Sequence, residues 1–316
     1  MFSKEKKQIE VKISIPSVRD DRRGFYNLWG KLFSLEWSFD KSYFIELDFT
    51  SCNYAGVNMT SILGAFVFFV RKNLSENGTI LRIETKTMNL SVYKKLKDMG
   101  LLEQLDKYDK KGFINQSDEL IRYQEFPASV QEDEVISYLK NEWLGKNRLN
   151  FSDEVKNAVL SSLWEVYANA IEHSGTKKVQ SCGSYDKKNK TLSLLVGDLG
   201  GGIVGSVKSY LKCEKTPKEA IEWALIKGNS TYTVNLRDEG EKQPRGLGLY
   251  LLTQLIDING GSMEIYTDSV FYSRELGQCT YIEDLSTIKG TWVRLTLKCL
   301  PNERYFFKSE NIPEYF

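Results

Sequence analysis

The sequence is poor in the side chains that build metal and disulfide sites. It contains a single histidine, His173, which excludes a metal site made of several imidazoles. Its five cysteines are odd in number and scattered, so they indicate reduced thiols and no disulfide or zinc framework. The formal net charge is only +1, which gives no overall electrostatic reason to expect a nucleic-acid partner, although a local basic patch stays open.

The sequence also lacks a hydrophobic run long enough to cross a membrane. The most apolar stretch, residues 56–70, is interrupted by Asn58, Thr60 and Ser61 and is shorter than the ~20 residues that a span requires. The first seven residues lack the apolar core of a signal peptide. We therefore expect no membrane partner and a soluble, cytoplasmic protein of bacterial type.

What is present predicts a globular protein of two domains. Hydrophobic residues make up 41% of the 316 positions and aromatic residues 12%, which is enough for two substantial cores. Strand patterns and amphipathic helix patterns alternate over the first 105 residues, with strands at 9–15, 43–49 and 79–84 and helices at 19–36, 56–73 and 90–104. This alternation predicts a small α/β domain with a parallel or mixed sheet.

A helix predicted over residues 153–172 carries the first chemically informative pattern. Ser152 is placed to cap its N-terminus. Glu165, Asn169 and His173 recur every four residues, so they lie on one polar stripe of a mostly apolar helix. A magnesium-bound triphosphate would be a suitable partner, because an amide oxygen is a hard Mg²⁺ ligand and a nearby carboxylate can orient water. The same stripe also fits a face exposed to solvent.

The second pattern is Asp198-Leu-Gly-Gly-Gly202, which follows a predicted buried strand at residues 190–196. A carboxylate at a strand end can accept a hydrogen bond from an exocyclic amine. The glycines allow a sharp turn and a close approach to a flat base. A plain tight turn explains this pattern equally well.

The third and fourth patterns are Arg245-Gly-Leu-Gly-Leu249 and Gly290-Thr291. The first of them leads into an apolar helix with a predicted C-cap at Asn259-Gly-Gly261. Glycines before a helix N-terminus leave free amides that suit an anion such as phosphate. The glycines could also serve only to turn a loop into a helix.

Together these four patterns resemble the GHKL superfamily of ATP-binding proteins, which includes gyrase, heat-shock chaperones, histidine kinases and MutL. The resemblance covers about residues 130 to 300 and implies a Bergerat α/β sandwich, in which helices cover a mixed sheet, with ATP and Mg²⁺ as cofactors. The fold class expected for the chain is therefore α/β. We expect domains at 1–105 and 131–300, a linker at 106–130 and an aromatic tail at 301–316 that docks on a surface.

The resemblance implies a role for each matching residue. Asn169 would bind Mg²⁺, and Asp198 would accept a hydrogen bond from the adenine amino group. Glu165 would be the base that activates water, as in the ATPase and partner-kinase branches of the family. Thr291 would support Asp198 from a neighbouring strand.

The glycine-rich motifs are implied to contact the nucleotide. Gly200 and Gly202 would shape the base pocket. The box that closes the ATP lid would comprise Arg245, Gly246, Leu247, Gly248 and Leu249. Within it, Gly246 and Gly248 would contact the phosphates. The polar segment at 227–245 fits a mobile lid.

The first 105 residues are similar, less closely, to the STAS fold of anti-sigma-factor antagonists. The similarity lies in the run at 46–57 before a predicted helix and in the later segment at 90–102. It departs from that family where the phosphorylatable serine is expected, because Ala55 stands there and a methyl group cannot accept a phosphoryl group. An α/β domain unrelated to STAS stays open.

Two functions remain open at this point. One is an ATP-hydrolysing switch that acts on a protein partner or a second copy of the chain. The other is an anti-sigma-type serine kinase that acts on a STAS-like partner. Glu165 fits both functions, because a base can activate either water or a serine hydroxyl. A histidine kinase that phosphorylates itself is excluded, because its acceptor would have to be a second histidine. The missing serine at position 55 favours the switch, and binding without turnover is a third alternative.

Overall fold

The computed structural model describes residues 8–105, 117–145, 148–173, 178–230, 247–283 and 286–306, with only the backbone of Glu172 and His173. The chain divides into two compact units. The first comprises Met1–Gln124 with Gln180–Cys182, and the second comprises Glu125–Val179 with Gly183–Phe316. Helices and strands are mixed in both units, so the predicted α/β class is confirmed.

The first unit is built on a three-stranded parallel sheet in the order β1-β2-β3. Its elements are β1 (Ile9–Ser14), α1 (Arg22–Phe33), β2 (Tyr43–Asp48), α2 (Val57–Asn73), β3 (Ile80–Glu84), α3 (Leu90–Asp98) and α4 (Leu101–Leu105). The predicted strands and the first two predicted helices are confirmed. The helix predicted at 90–104 is instead two helices, because Gly100 has a φ of 78° and ends the first of them.

Helix α2 explains the most apolar stretch of the sequence. Every residue from Val57 to Val67 is buried, including the polar Asn58, Thr60 and Ser61. A helix that is buried on all sides is a core helix of its unit. Within the residues that the structure covers, none of the helices combines the length and the apolar character needed to cross a membrane.

The second unit contains the longer sheet and the longest helix. Its elements are α5 (Glu132–Tyr138), β5 (Asn150–Phe151), α6 (Asp153–His173), β6 (Lys178–Asp186), β7 (Thr191–Asp198), α7 (Gly202–Leu211), α8 (Pro217–Ala224), α9 (Gly248–Asn259), β8 (Ser262–Asp268), β9 (Val270–Glu275), β10 (Gln278–Ile282), β11 (Ile288–Lys298) and β12 (Arg304–Tyr305). A further strand, β4 (Leu120–Pro127), and β6 contain residues of both units. The seven-stranded sheet has the order β10-β9-β8-β11-β7-β6-β4, and β11 pairs antiparallel with β7 and β8.

Two segments differ from the sequence-based prediction. Part of the expected linker at 106–130 is strand β4, in which Ile121 and Tyr123 are buried. The charged residues before this strand obscured its pattern in the sequence. Residues 106–116 lie outside the described part of the chain. The start of the expected tail is strand β12, which pairs with β5. There Tyr305 is buried, and its hydroxyl donates to the carbonyl of Lys298 over 3.2 Å.

Helices α6 and α9 pack against each other, and α9 also contacts β8, β9 and β11. The C-terminal end of α9 is tied to β11 by the buried side chain of Asn259. Its Nδ2 donates to the carbonyl of Lys298 over 3.0 Å, and its Oδ1 accepts from the amide of Lys298 over 2.6 Å. Gly260 follows with a φ of 68°, so the predicted C-cap is confirmed. This anchor fixes α9 relative to the sheet.

Candidate functional site

A cavity in the second unit brings together residues from all four sequence motifs. It encloses about 820 Å³ of empty space, its open mouth included. Six of the predicted site residues line it: Glu165, Asn169, Asp198, Gly202, Leu249 and Thr291. They come from α6, the end of β7, the starts of α7 and α9, and β11.

The other predicted residues lie beside the cavity or outside the described part of the chain. Gly200, Leu247 and Gly248 do not line the cavity but donate backbone hydrogen bonds to residues that do. Arg245 and Gly246 lie outside the described residues, as does the predicted lid beyond Ser230. The side chain of His173 is also outside them.

Asp198 is the last residue of β7 and is only 1% exposed. Its Oδ1 accepts a hydrogen bond from the amide of Gly200 over 2.6 Å, and its Oδ2 accepts from the amide of Thr291 over 3.3 Å. Thr291 therefore supports Asp198 through its backbone, while its hydroxyl accepts from the amide of Ile203 over 3.1 Å. The carboxylate is held at the cavity by the two backbone donors.

Gly290 allows the strand that carries Thr291 to approach Asp198. Its φ is 79°, and a Cβ at this position would lie 2.0 Å from the carbonyl oxygen of Asp198 and 2.9 Å from its Oδ1. Any larger residue would strain the backbone at this φ and would also collide with Asp198. The close approach to Asp198 therefore explains why the Gly-Thr motif has glycine at position 290.

We expect Gly290→Ala to lower the free energy of unfolding by more than Gly277→Ala does. Gly277 has a φ of 76° but no atom within 4 Å of a Cβ, so alanine there should cost only the left-handed backbone, about 1–2 kcal/mol. Alanine at 290 should add the collision with Asp198. Urea denaturation of both variants measures the difference. Equal losses would contradict the close approach of Gly290 to Asp198.

Glu165 joins helix α6 to the N-terminus of α9. Its Oε2 accepts hydrogen bonds from the amide of Gly248 over 2.6 Å and from the amide of Leu247 over 3.2 Å. A Cβ at residue 248 would lie 2.7 Å from the Cβ of Glu165, so glycine permits this contact. A carboxylate is well suited to the amides at the positive end of a helix dipole. The amide predicted to contact a phosphate, that of Gly248, is therefore bonded to an anionic side chain of the chain itself.

Asn169 lies on the wall of the same cavity and is partly buried. In the ranges that the structure describes, no three His, Cys, Asp or Glu residues lie together as a metal cluster. Mg²⁺ does not require such a cluster, because it keeps several waters and is commonly held by few protein oxygens plus the phosphates of a substrate. The amide oxygen of Asn169 fits that kind of site. It does not fit a structural metal site, in which several side chains enclose the ion.

The sequence motifs missed one wall of the cavity. Trp223 and Ala224 at the end of α8 line it, beside Asn229 and Ser230, which belong to the segment predicted as the lid. The start of α8 could have been predicted, because Thr216 and Glu219 form a capping box around Pro217. No local pattern indicates that the helix brings Trp223 to the cavity that Asp198 lines.

The remaining lining is largely aliphatic. It consists of Val166, Ala170, Val196, Ile203, Val207 and Val293, together with Gly197 and Ser206. Apolar walls with a few fixed polar groups are the usual composition of a small-molecule site. The arrangement can therefore hold a flat, mostly apolar ring whose hydrogen-bond donor meets Asp198.

A comparison with protein-family models and with curated proteins found no match to this chain. What the cavity binds must therefore be inferred from the residues that form it.

Proposed function

We propose that the second unit binds ATP with Mg²⁺ in this cavity. The observation that carries the proposal is the convergence of Asn169, Asp198, Leu249 and Thr291, which lie far apart in the sequence, on one cavity. Independent tight turns and an exposed polar stripe would not be expected to meet in this way. The resemblance of the same four motifs to the GHKL superfamily supports the same ligand.

The chemistry of the cavity suits an adenine nucleotide. An ionised carboxylate only accepts hydrogen bonds, so Asp198 suits the exocyclic amine of adenine and opposes the carbonyl that guanine carries at the same position. The aliphatic walls suit the faces of the base. Asn169 offers an oxygen to a Mg²⁺ ion that arrives with the phosphates, and that ion would supply charge stabilisation for the triphosphate.

We further propose that ATP is hydrolysed and that Glu165 is the base. Glu165 lies one helical turn before Asn169 and lines the same cavity. Its hydrogen bonds to the start of α9 involve one carboxylate oxygen, Oε2. Through them, a movement of the Glu165 carboxylate would change the position of that helix. An ATP-dependent change in α9 would be the basis of a conformational switch.

The first unit is proposed to be an interaction module, for a protein partner or for a second copy of the chain. Ala55, which stands where a STAS-type antagonist has its serine, is 4% exposed and forms an isolated bridge with Val18. A buried methyl group supports no phosphorylation at this turn. The unit would therefore act through its surface.

Titration calorimetry with ATP and with GTP, each with Mg²⁺, tests the binding proposal. We expect ATP to bind and GTP to bind more weakly. Lack of ATP binding by the full-length chain would overturn it.

A phosphate-release assay then separates hydrolysis from its alternatives. Release of inorganic phosphate from ATP is the expected outcome. Transfer of the labelled terminal phosphate to a serine of an added STAS-type protein would instead favour the serine kinase. Binding with neither reaction would identify a binding-only module.

A further inference from the structure

Trp223 lines the cavity but lies outside the four motifs and the predicted lid. Among the described residues that line the cavity, it alone is aromatic. It is partly buried, so part of the indole stays accessible beside an otherwise aliphatic and polar lining. A large flat ring at this place needs a reason, because an aliphatic side chain would close the wall equally well.

The helix that carries Trp223 is fixed at both ends. At its start, the Thr216 hydroxyl accepts from the amide of Glu219 over 3.2 Å, and the Glu219 carboxylate accepts from the amide of Thr216 over 2.8 Å. Beyond its end, Nδ2 of Asn229 donates to the carbonyl of Trp223 over 2.9 Å. The ring of Tyr210 lies 5.8 Å from the ring of Trp223, at 45°. The backbone at Trp223 is therefore held in place, and its indole lies against the ring of Tyr210.

We propose that Trp223 stacks on the base of the bound nucleotide and is a ligand-binding residue of this site. The inference rests on the proposed function. Asp198 can hold only the edge of a base, through an amine, and an edge contact leaves the plane of the ring free to tilt. An indole in the same cavity supplies a face. Stacking of bases on aromatic side chains is favourable for every base, so Trp223 adds affinity while Asp198 adds the preference for adenine.

The test compares Trp223→Ala and Trp223→Phe with wild type, using ATP and inorganic tripolyphosphate, each with Mg²⁺, in the full-length chain. We expect Trp223→Ala to raise the Kd for ATP by roughly 5- to 150-fold and Trp223→Phe to raise it less. The Kd for tripolyphosphate, which has no base, should not change. Loss of the fold would lower both affinities, so this probe separates stacking from structural damage.

Tryptophan fluorescence gives a second readout. The chain has six tryptophans, and ATP should quench the emission of wild type through Trp223. The quenching should be lost in Trp223→Phe and kept in the control Trp37→Phe, which changes a tryptophan of the first unit whose indole donates to the carbonyl of Leu32.

Three results would overturn the inference while leaving ATP binding intact. They are an ATP affinity of Trp223→Ala within twofold of wild type, quenching that persists in Trp223→Phe, and an equal fall in the affinities for ATP and tripolyphosphate. If wild type bound no ATP at all, the proposed function would fail, and the inference would fail with it.

Discussion

Replacing Glu165 by glutamine should lower ATP turnover by about 10²- to 10⁴-fold while ATP affinity stays unchanged. Glutamine keeps an acceptor oxygen, and a single oxygen of Glu165 accepts both hydrogen bonds from Leu247 and Gly248. The start of α9 should therefore remain in place. The amide cannot take a proton from water, so only the base chemistry is removed.

Glu165→Ala provides the contrast, because it removes both the base and the acceptor for α9. Two backbone donors then lose their partner, which should lower the free energy of unfolding by about 1–3 kcal/mol. Phosphate release at saturating ATP, calorimetry and urea denaturation of both variants distinguish the two roles. Glu275→Gln, at an exposed position of β9 outside the cavity, is the matched control. If Glu165→Gln turned ATP over at the wild-type rate, Glu165 would serve only to hold α9.

We expect Asp198→Asn to weaken ATP binding by roughly 10- to 150-fold, the loss of one hydrogen bond to a charged group. The two carboxylate oxygens of Asp198 accept from the amides of Gly200 and Thr291. Asparagine has only one such oxygen. In either orientation its amino group would face one of these two backbone N–H groups, and both groups are donors.

Asp186→Asn is the control for this substitution. Asp186 also ends a strand, and its Oδ1 accepts from the amides of Lys188 and Asn189, but it is exposed and does not line the cavity. The hydrogen bond from the amide of Asn189 lowers the pKa of its carboxyl group. Calorimetry should give wild-type ATP affinity for Asp186→Asn. An Asp198→Asn variant with equally unchanged affinity would remove Asp198 from the binding site.

Local patterns predicted the elements that carry the site because each pattern has its own physical cause. The polar stripe through Glu165 and Asn169 follows from helix periodicity, and the helix is observed at Asp153–His173. Ser152 caps it as expected, its hydroxyl accepting from the amide of Val155 over 3.1 Å. Asp198 ends a strand, as its place after an apolar run indicated. These features depend on neighbours within a few residues.

The parts that could not be predicted depend on residues distant in sequence. Glu165 meets the amide of Gly248 only because α6 and α9 pack together, and Trp223 reaches the cavity only through the placement of α8. No local sequence pattern in α6 or α8 indicates which distant residues each helix meets. Likewise, the positive φ of Gly100 divides a helix whose apolar periodicity continues across it. Packing and backbone geometry decided these features.

The most direct test of ATP binding at this cavity is a crystal structure of the full-length chain with a non-hydrolysable ATP analogue and Mg²⁺. We predict the base inside the cavity, with its exocyclic amine about 2.7–3.2 Å from a carboxylate oxygen of Asp198. We also predict Mg²⁺ on the side-chain oxygen of Asn169. An analogue bound elsewhere, or a base in this cavity whose amine does not contact Asp198, would contradict the proposed site.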